Sequence, residues 1–175
     1  VVSDHPIEFE RNFGRVMTGS VGKLIRKLVG KAAGDRAVVY TNAIGCVPPS
    51  SFDDFDKSID ACRPYVADVF AETDPQVVLL FGPKACQSIL GRRPGAFSVR
   101  NGYGWIKKAN GVVIPAFILI DPLSAIRNEL VARALEEDVR WALSSPKILG
   151  PQHDAVYELI QTAADAEAAW EALCA

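Results

Sequence analysis

Short β-branched apolar runs alternate along the chain with longer stretches whose apolar residues recur at helical spacing, which predicts an α/β domain around a largely parallel sheet. The predicted strands cover residues 1–4, 37–42, 76–82 and 112–117. Between the first two, residues 20–33 set Val21, Leu24, Ile25 and Leu28 on one stripe, and Gly34 ends the helix. A second helix is predicted from the capping box Ser51-Phe52-Asp53-Asp54, with Phe52, Phe55, Ile59, Cys62, Val66 and Phe70 along one face and a kink or restart at Pro64. A third starts at Pro83 and ends near Leu90. The fourth opens with Asp121 as N-cap and Pro122 at the first helical position, then stacks Ile126, Leu130 and Ala134 beside Val131, Leu135 and Val139. Residues 1–144 therefore read as one domain and 145–154 as a linker. Residues 155–175 read as a strand-helix extension too short to close a second core.

Composition narrows the class. With 175 residues, 49% of them hydrophobic and 23% charged, the chain can bury a core, which excludes a disordered tail, a collagen-like repeat and a disulfide-stapled toxin. No apolar run approaches the roughly 18 to 20 residues a membrane span needs, and the longest, residues 112–120, contains Pro115. Four cysteines in a chain of this size fit a reducing compartment, so the expected location is the cytoplasm. The chain opens on Val1-Val2 without an initiator Met and reads as a fragment.

A net charge of −2 conceals an uneven distribution. Six of the 19 basic residues (Lys84, Arg92, Arg93, Arg100, Lys107 and Lys108) fall in residues 75–120, where there is no Asp or Glu; the other 13 share the rest with all 21 acids. Phe97, Tyr103 and Trp105 interleave with these cations. Cations mixed with aromatic faces suit a phosphate backbone and its bases, and a solvated basic hairpin explains the same run equally well.

Common nucleotide signatures are missing. Gly22-Lys23 lacks the glycine due five positions before Gly22, which is Met17, and Leu24 stands where a phosphate loop needs Ser or Thr. No Gly-x-Gly-x-x-Gly follows a predicted strand. A zinc site or a Ser-His-Asp triad would have to use His5 or His153, and neither has the spacing. What does converge is the set of loops after the strands, where open α/β sheets bind ligands. These are Ser3-Asp4-His5-Pro6, Thr41-Asn42, Gly82-Pro83-Lys84 and Asp121-Pro122-Leu123-Ser124.

Their order, together with Gly14-Arg15-Val16-Met17-Thr18-Gly19, Cys46-Val47-Pro48-Pro49, Ala61-Cys62-Arg63-Pro64-Tyr65 and Ala125-Ile126-Arg127, resembles the uracil-DNA glycosylase superfamily, nearest its iron-sulfur branch, family 4. The resemblance covers residues 1–144 and implies a three-layer αβα fold with a central, largely parallel four-stranded sheet. It implies DNA as partner, a flipped base held in a pocket, and hydrolysis of the bond from base to sugar. Asn42 aligns with the family's base-reading Asn, and Asp4 replaces the Glu that orients water and faces the positive charge developing on the sugar. His5 stands where a small residue or an Asp is usual.

Several positions depart from the pattern. Met17 takes the place of the base-stacking Phe, and Ile7 that of the glycine closing the first motif. Asp121 replaces the His that donates to the uracil oxygen as negative charge gathers there; an ionised Asp would repel that charge, and a helix N-cap explains Asp121 as well. Leu123, Ser124 and Arg127 keep the residue types that wedge into and grip the duplex, and Lys84 at a helix N-terminus suits a phosphate. Cys46 and Cys62 fall on two ligands of the family's 4Fe-4S cluster; the other two would lie upstream, so either a cluster belongs to a longer parent chain or these two cysteines are packing residues. Residues 156–162 and the acidic, Ala-rich stretch after them resemble the opening of the exonuclease domain of family A DNA polymerases. The function implied is a DNA-binding glycosylase-like domain with weak or lost base excision, an accessory module of a polymerase. The alternative is an active glycosylase for uracil or a modified pyrimidine. A small-ligand α/β protein ranks third.

Overall fold

The computed structural model describes residues 1–47, 55–91, 102–108 and 110–144. The capping box at residues 51–54, Arg92, Arg93, Phe97 and Arg100, the linker at 145–154 and the extension at 155–175 with Cys174 lie outside the described residues. In chain order the elements are β1 (Val2–Ser3), α1 (Glu8–Phe13), α2 (Ser20–Ala33), β2 (Thr41–Asn42), α3 (Phe55–Thr73), β3 (Val78–Phe81), α4 (Pro83–Leu90), β4 (Tyr103–Lys107), β5 (Val113–Leu119), α5 (Pro122–Arg127) and α6 (Glu129–Ser144).

The sheet runs β2-β1-β3-β5-β4, with the first four strands parallel and β4 antiparallel to β5. Alternation along the two central strands sorts their side chains onto two faces. Leu79, Phe81, Phe117 and Leu119 meet α2 and α6 through Ile25, Val29, Leu135 and Val139. Val78, Leu80, Ala116 and Ile118 meet α4 through Ala85 and Cys86. Helices on both faces of a mostly parallel sheet make three layers, and burial on both faces explains why β3 and β5 are continuously apolar in sequence.

Three local differences have physical causes. Among the described residues the sheet has five strands rather than the predicted four, because Tyr103–Lys107 pairs with Val113–Leu119; an edge strand carries no continuous apolar run to announce it. The fourth predicted helix is two: Asn128 leaves the helical region at φ −145° and ψ 118°, and its Oδ1 accepts the amides of Leu130 at 2.9 Å and Val131 at 3.4 Å, starting α6 afresh. α3 continues through Pro64, which is exposed, so water can satisfy the carbonyl one turn earlier that loses its partner.

The loop between α1 and α2 is clamped from both ends. The Glu10 carboxylate, 6% exposed, accepts the amides of Thr18 at 2.7 Å and Gly19 at 3.0 Å at the positive end of α2, and that of Ile7 at 3.3 Å. Arg26 donates to the carbonyls of Met17 at 2.9 Å and Val16 at 3.0 Å. These bonds hold Met17 at a positive φ of 55°, and α2 approaches so closely that a Cβ at Gly22 would lie 2.1 Å from the Met17 carbonyl carbon. Glu10→Ala would strand these donors, and urea unfolding is expected to show a loss of about 2 to 4 kcal/mol. A change within 0.5 kcal/mol would mean that solvent replaces the carboxylate.

Candidate functional site

Parallel register places four strand ends side by side. Ser3 pairs with both Asn42 and Phe81, and Phe81 pairs with Leu119, so Asn42, Asp4, Gly82 and the Asp121 region follow one another along the carboxyl edge of the sheet. Such an edge is where an open α/β sheet receives a ligand.

Asn42 is 6% exposed, and neither its Nδ2 nor its Oδ1 has a hydrogen-bond partner among the described residues. Its backbone is held by the β1 ladder, with the neighbouring amides of Ala43 and Ile44 donating to Ser3 and Asp4 carbonyls at 2.7 and 3.0 Å. The side chain lines a cavity of about 380 Å³ with Val16, Thr41, Cys62, Tyr65 and Val66. A buried amide whose donor and acceptor have no partner among the described residues can pair with a group that offers the converse pair.

Asp4 sits against the turn after β3. Its Oδ1 accepts the Ala85 amide at 2.9 Å, and its Oδ2 lies 3.9 Å from Lys84 Nζ. Gly82, at φ 100°, makes this possible, because a Cβ there would lie 2.6 Å from Asp4 Oδ1. Burial pushes the Asp4 carboxyl above its usual range; the Ala85 amide and the Lys84 ammonium pull it back, and Asp121 pushes it further up. The folded state thus keeps this proton to a higher pH than the unfolded chain does. Asp4 therefore costs stability as the pH rises from about 4 through its raised native value. Urea midpoints across that window are expected to decline in the wild type and to lose this part of the decline in Asp4→Asn. An identical slope in the variant would refute the assignment.

Two aromatic rings complete this corner. Lys84 Nζ lies 4.0 Å above the centre of the Phe55 ring, and His5 stacks on the same residue at 6.2 Å and 16°. The His5 Nδ1 donates to the Pro6 carbonyl at 3.0 Å. Sequence reading counted Phe55 only as a helix-face residue; the turn of chain that carries it to Lys84 has no local signature.

Met17 belongs elsewhere. The expectation that it offers a base a stacking surface fails, because it is 2% exposed and packs in the core under α2. The clamp on its backbone turns the side chain inward. Asp121 accepts the Leu123 amide at 2.9 Å and so caps α5, while remaining close enough to Asp4 for their charges to oppose. Beyond it, Leu123 and Ile126 are 44% and 47% exposed, Ser124 is half-buried, and Arg127 is exposed.

Cys46 is exposed and Cys62 half-buried; both line the Asn42 cavity, and the Gly45 amide donates to Cys62 Sγ at 3.4 Å. Cys86 is buried in the core beneath α4. Two thiols supply half of what a 4Fe-4S cubane takes, and among the described residues no three His, Cys, Asp or Glu side chains gather as a metal site. The described residues do not by themselves fit a cluster. Among them, too, no helix is long and apolar enough to cross a membrane.

Comparison with protein families matches residues 1–173 to the uracil DNA glycosylase superfamily. Comparison with curated proteins gives no match.

Proposed function

Because the chain belongs to the uracil DNA glycosylase superfamily, we propose that it is a DNA-binding domain that draws a base out of the helix and reads it, with excision weak or lost, as an accessory module of a DNA polymerase. The observation that carries this reading is the buried Asn42 amide, which has no partner among the described residues. Left empty, such a group costs about 1 to 3 kcal/mol, and a pyrimidine edge presenting one acceptor and one donor removes that cost. Extrusion is the step that brings such an edge to a protein pocket. The exposed Leu123 and Ile126 suit the gap an extruded base leaves, with Ser124 and Arg127 beside them for phosphates.

Weak excision follows from Asp121. Breaking the glycosidic bond leaves an electron pair on the departing base, which a preorganised donor or cation should meet. Here a carboxylate stands at that corner, its Oδ1 engaged by the Leu123 amide. The association with a polymerase rests on the resemblance carried by residues 156–175.

An active glycosylase is the second reading, favoured by Asp4. A carboxylate pinned by the Ala85 amide and flanked by Lys84 is suited to orient water toward the sugar and to face its developing positive charge. Incubation with a uracil-containing oligonucleotide followed by hot alkali separates the two. Salt-dependent binding without strand breaks supports the first reading. Strand breaks that disappear in Asn42→Ala establish the second. Absence of salt-dependent binding refutes both, since phosphate contacts release counterions.

A further inference from the structure

Lys84 occupies an electrostatically awkward place. It lies in the first turn of α4, where the helix dipole disfavours a cation, and its side chain is only 21% exposed. A lysine that serves phosphates from a helix N-terminus would extend into solvent; this one is drawn inward over the Phe55 ring. It does not close on its carboxylate either. Lys31 and Lys108 reach Glu136 and Asp74 at 2.7 and 2.6 Å, direct hydrogen bonds, whereas Lys84 stops 3.9 Å short of Asp4 Oδ2. An amine is thus held beside a carboxylate without being consumed by it. Asp4 follows the strand next to that of Asn42 and Lys84 the strand after it, at the edge where a reading head for a base implies a sugar close by.

Building on the DNA-binding reading above, we infer that Lys84 and Asp4 form a capture site for abasic sites in DNA, with the open-chain deoxyribose aldehyde as substrate. Asp4 takes a proton from the Lys84 ammonium, and the freed amine adds to the C1′ carbon as the carbonyl electron pair moves to oxygen. Proton transfer gives a carbinolamine; Asp4 returns its proton to the departing hydroxyl, water leaves, and a protonated imine joins Lys84 to C1′. The Asp4 carboxylate then removes a C2′ proton, and the C–H electron pair flows toward the imine nitrogen as an enamine. Expulsion of the 3′ phosphate follows, leaving a conjugated imine. Water hydrolyses it to release Lys84 and an unsaturated aldehyde at the strand end. No oxidant or reductant enters.

The test uses the full chain and a duplex whose single abasic site is generated by an unrelated glycosylase. With sodium cyanoborohydride present, the imine is reduced to a stable amine, so a protein–DNA adduct is expected on a denaturing gel. Lys84→Ala and Lys84→Arg are each expected to lower the adduct at least tenfold; Arg keeps the charge but not the nucleophile. Binding of a duplex containing tetrahydrofuran, an abasic analogue without an aldehyde, is measured in parallel for all three proteins. Binding of the analogue without adduct in the wild type overturns the capture site and leaves the DNA-binding reading standing. Adduct that persists in both variants also overturns it, since another amine is then responsible. Failure of the wild type to bind either duplex overturns the DNA-binding reading and the capture site with it.

Discussion

Asn42→Ala is expected to make the fold more stable while abolishing the base recognition proposed above. Truncation removes two buried polar atoms that have no partner among the described residues, so the desolvation penalty they carry in the free protein disappears. Against this stands the loss of a few packed atoms at the cavity wall. The net expectation is a gain of about 1 kcal/mol in urea unfolding. Binding moves the other way: with no amide to meet the uracil edge, preference for a uracil-containing duplex over an undamaged one falls to near unity, and any excision drops by about 100-fold or more. A residue whose removal stabilises the fold and destroys recognition is held there for a ligand. Should the variant be less stable and equally selective, Asn42 is a packing residue and the site lies elsewhere.

Asp121→His is expected to act in the direction opposite to most active-site substitutions by raising single-turnover uracil excision at least about tenfold. A donor aimed at charge that develops in the transition state is worth on the order of 100-fold where it has been removed from other enzymes. Restoring a donor at the end of β5 also takes away the repulsion that Asp121 exerts on Asp4. The substitution gives up the bond from the Leu123 amide that starts α5, at a cost of about 1 kcal/mol in stability. Asp121→Asn retains an N-cap oxygen and drops the charge, so it should keep the stability and gain less activity. If neither variant exceeds the wild type in excision, the leaving group departs at some other point of the cleft.

Legibility followed the range of the forces involved. The helices at residues 20–33 and 83–90 carry their own period and stop signals, Gly34 and Gly91, and appear where those signals put them. β3 and β5 announced themselves as apolar runs because both of their faces are buried. β4 could not, since half of an edge strand faces water, and α1 was missed because its six residues show too little periodicity. In the candidate site, motif order put Asn42, Asp4 and Asp121 after strands, and the sheet register sets those strand ends side by side. Phe55 was not, because its meeting with Lys84 depends on how α3 lies against α4.

By itself the sequence determined the α/β class, the parallel core and which chemistry-bearing residues follow the strands, since periodicity, capping and strand-end loops are local properties. Only the tertiary structure decided what those side chains face. Met17 points into the core because Glu10 and Arg26 grip its loop from α1 and α2. Lys84 lies over the Phe55 ring and 3.9 Å from Asp4 because α4 packs against both α3 and the end of β1, and the Asn42 amide ends buried without a partner among the described residues. Each direction depends on residues far apart in the chain, and no local pattern encodes it.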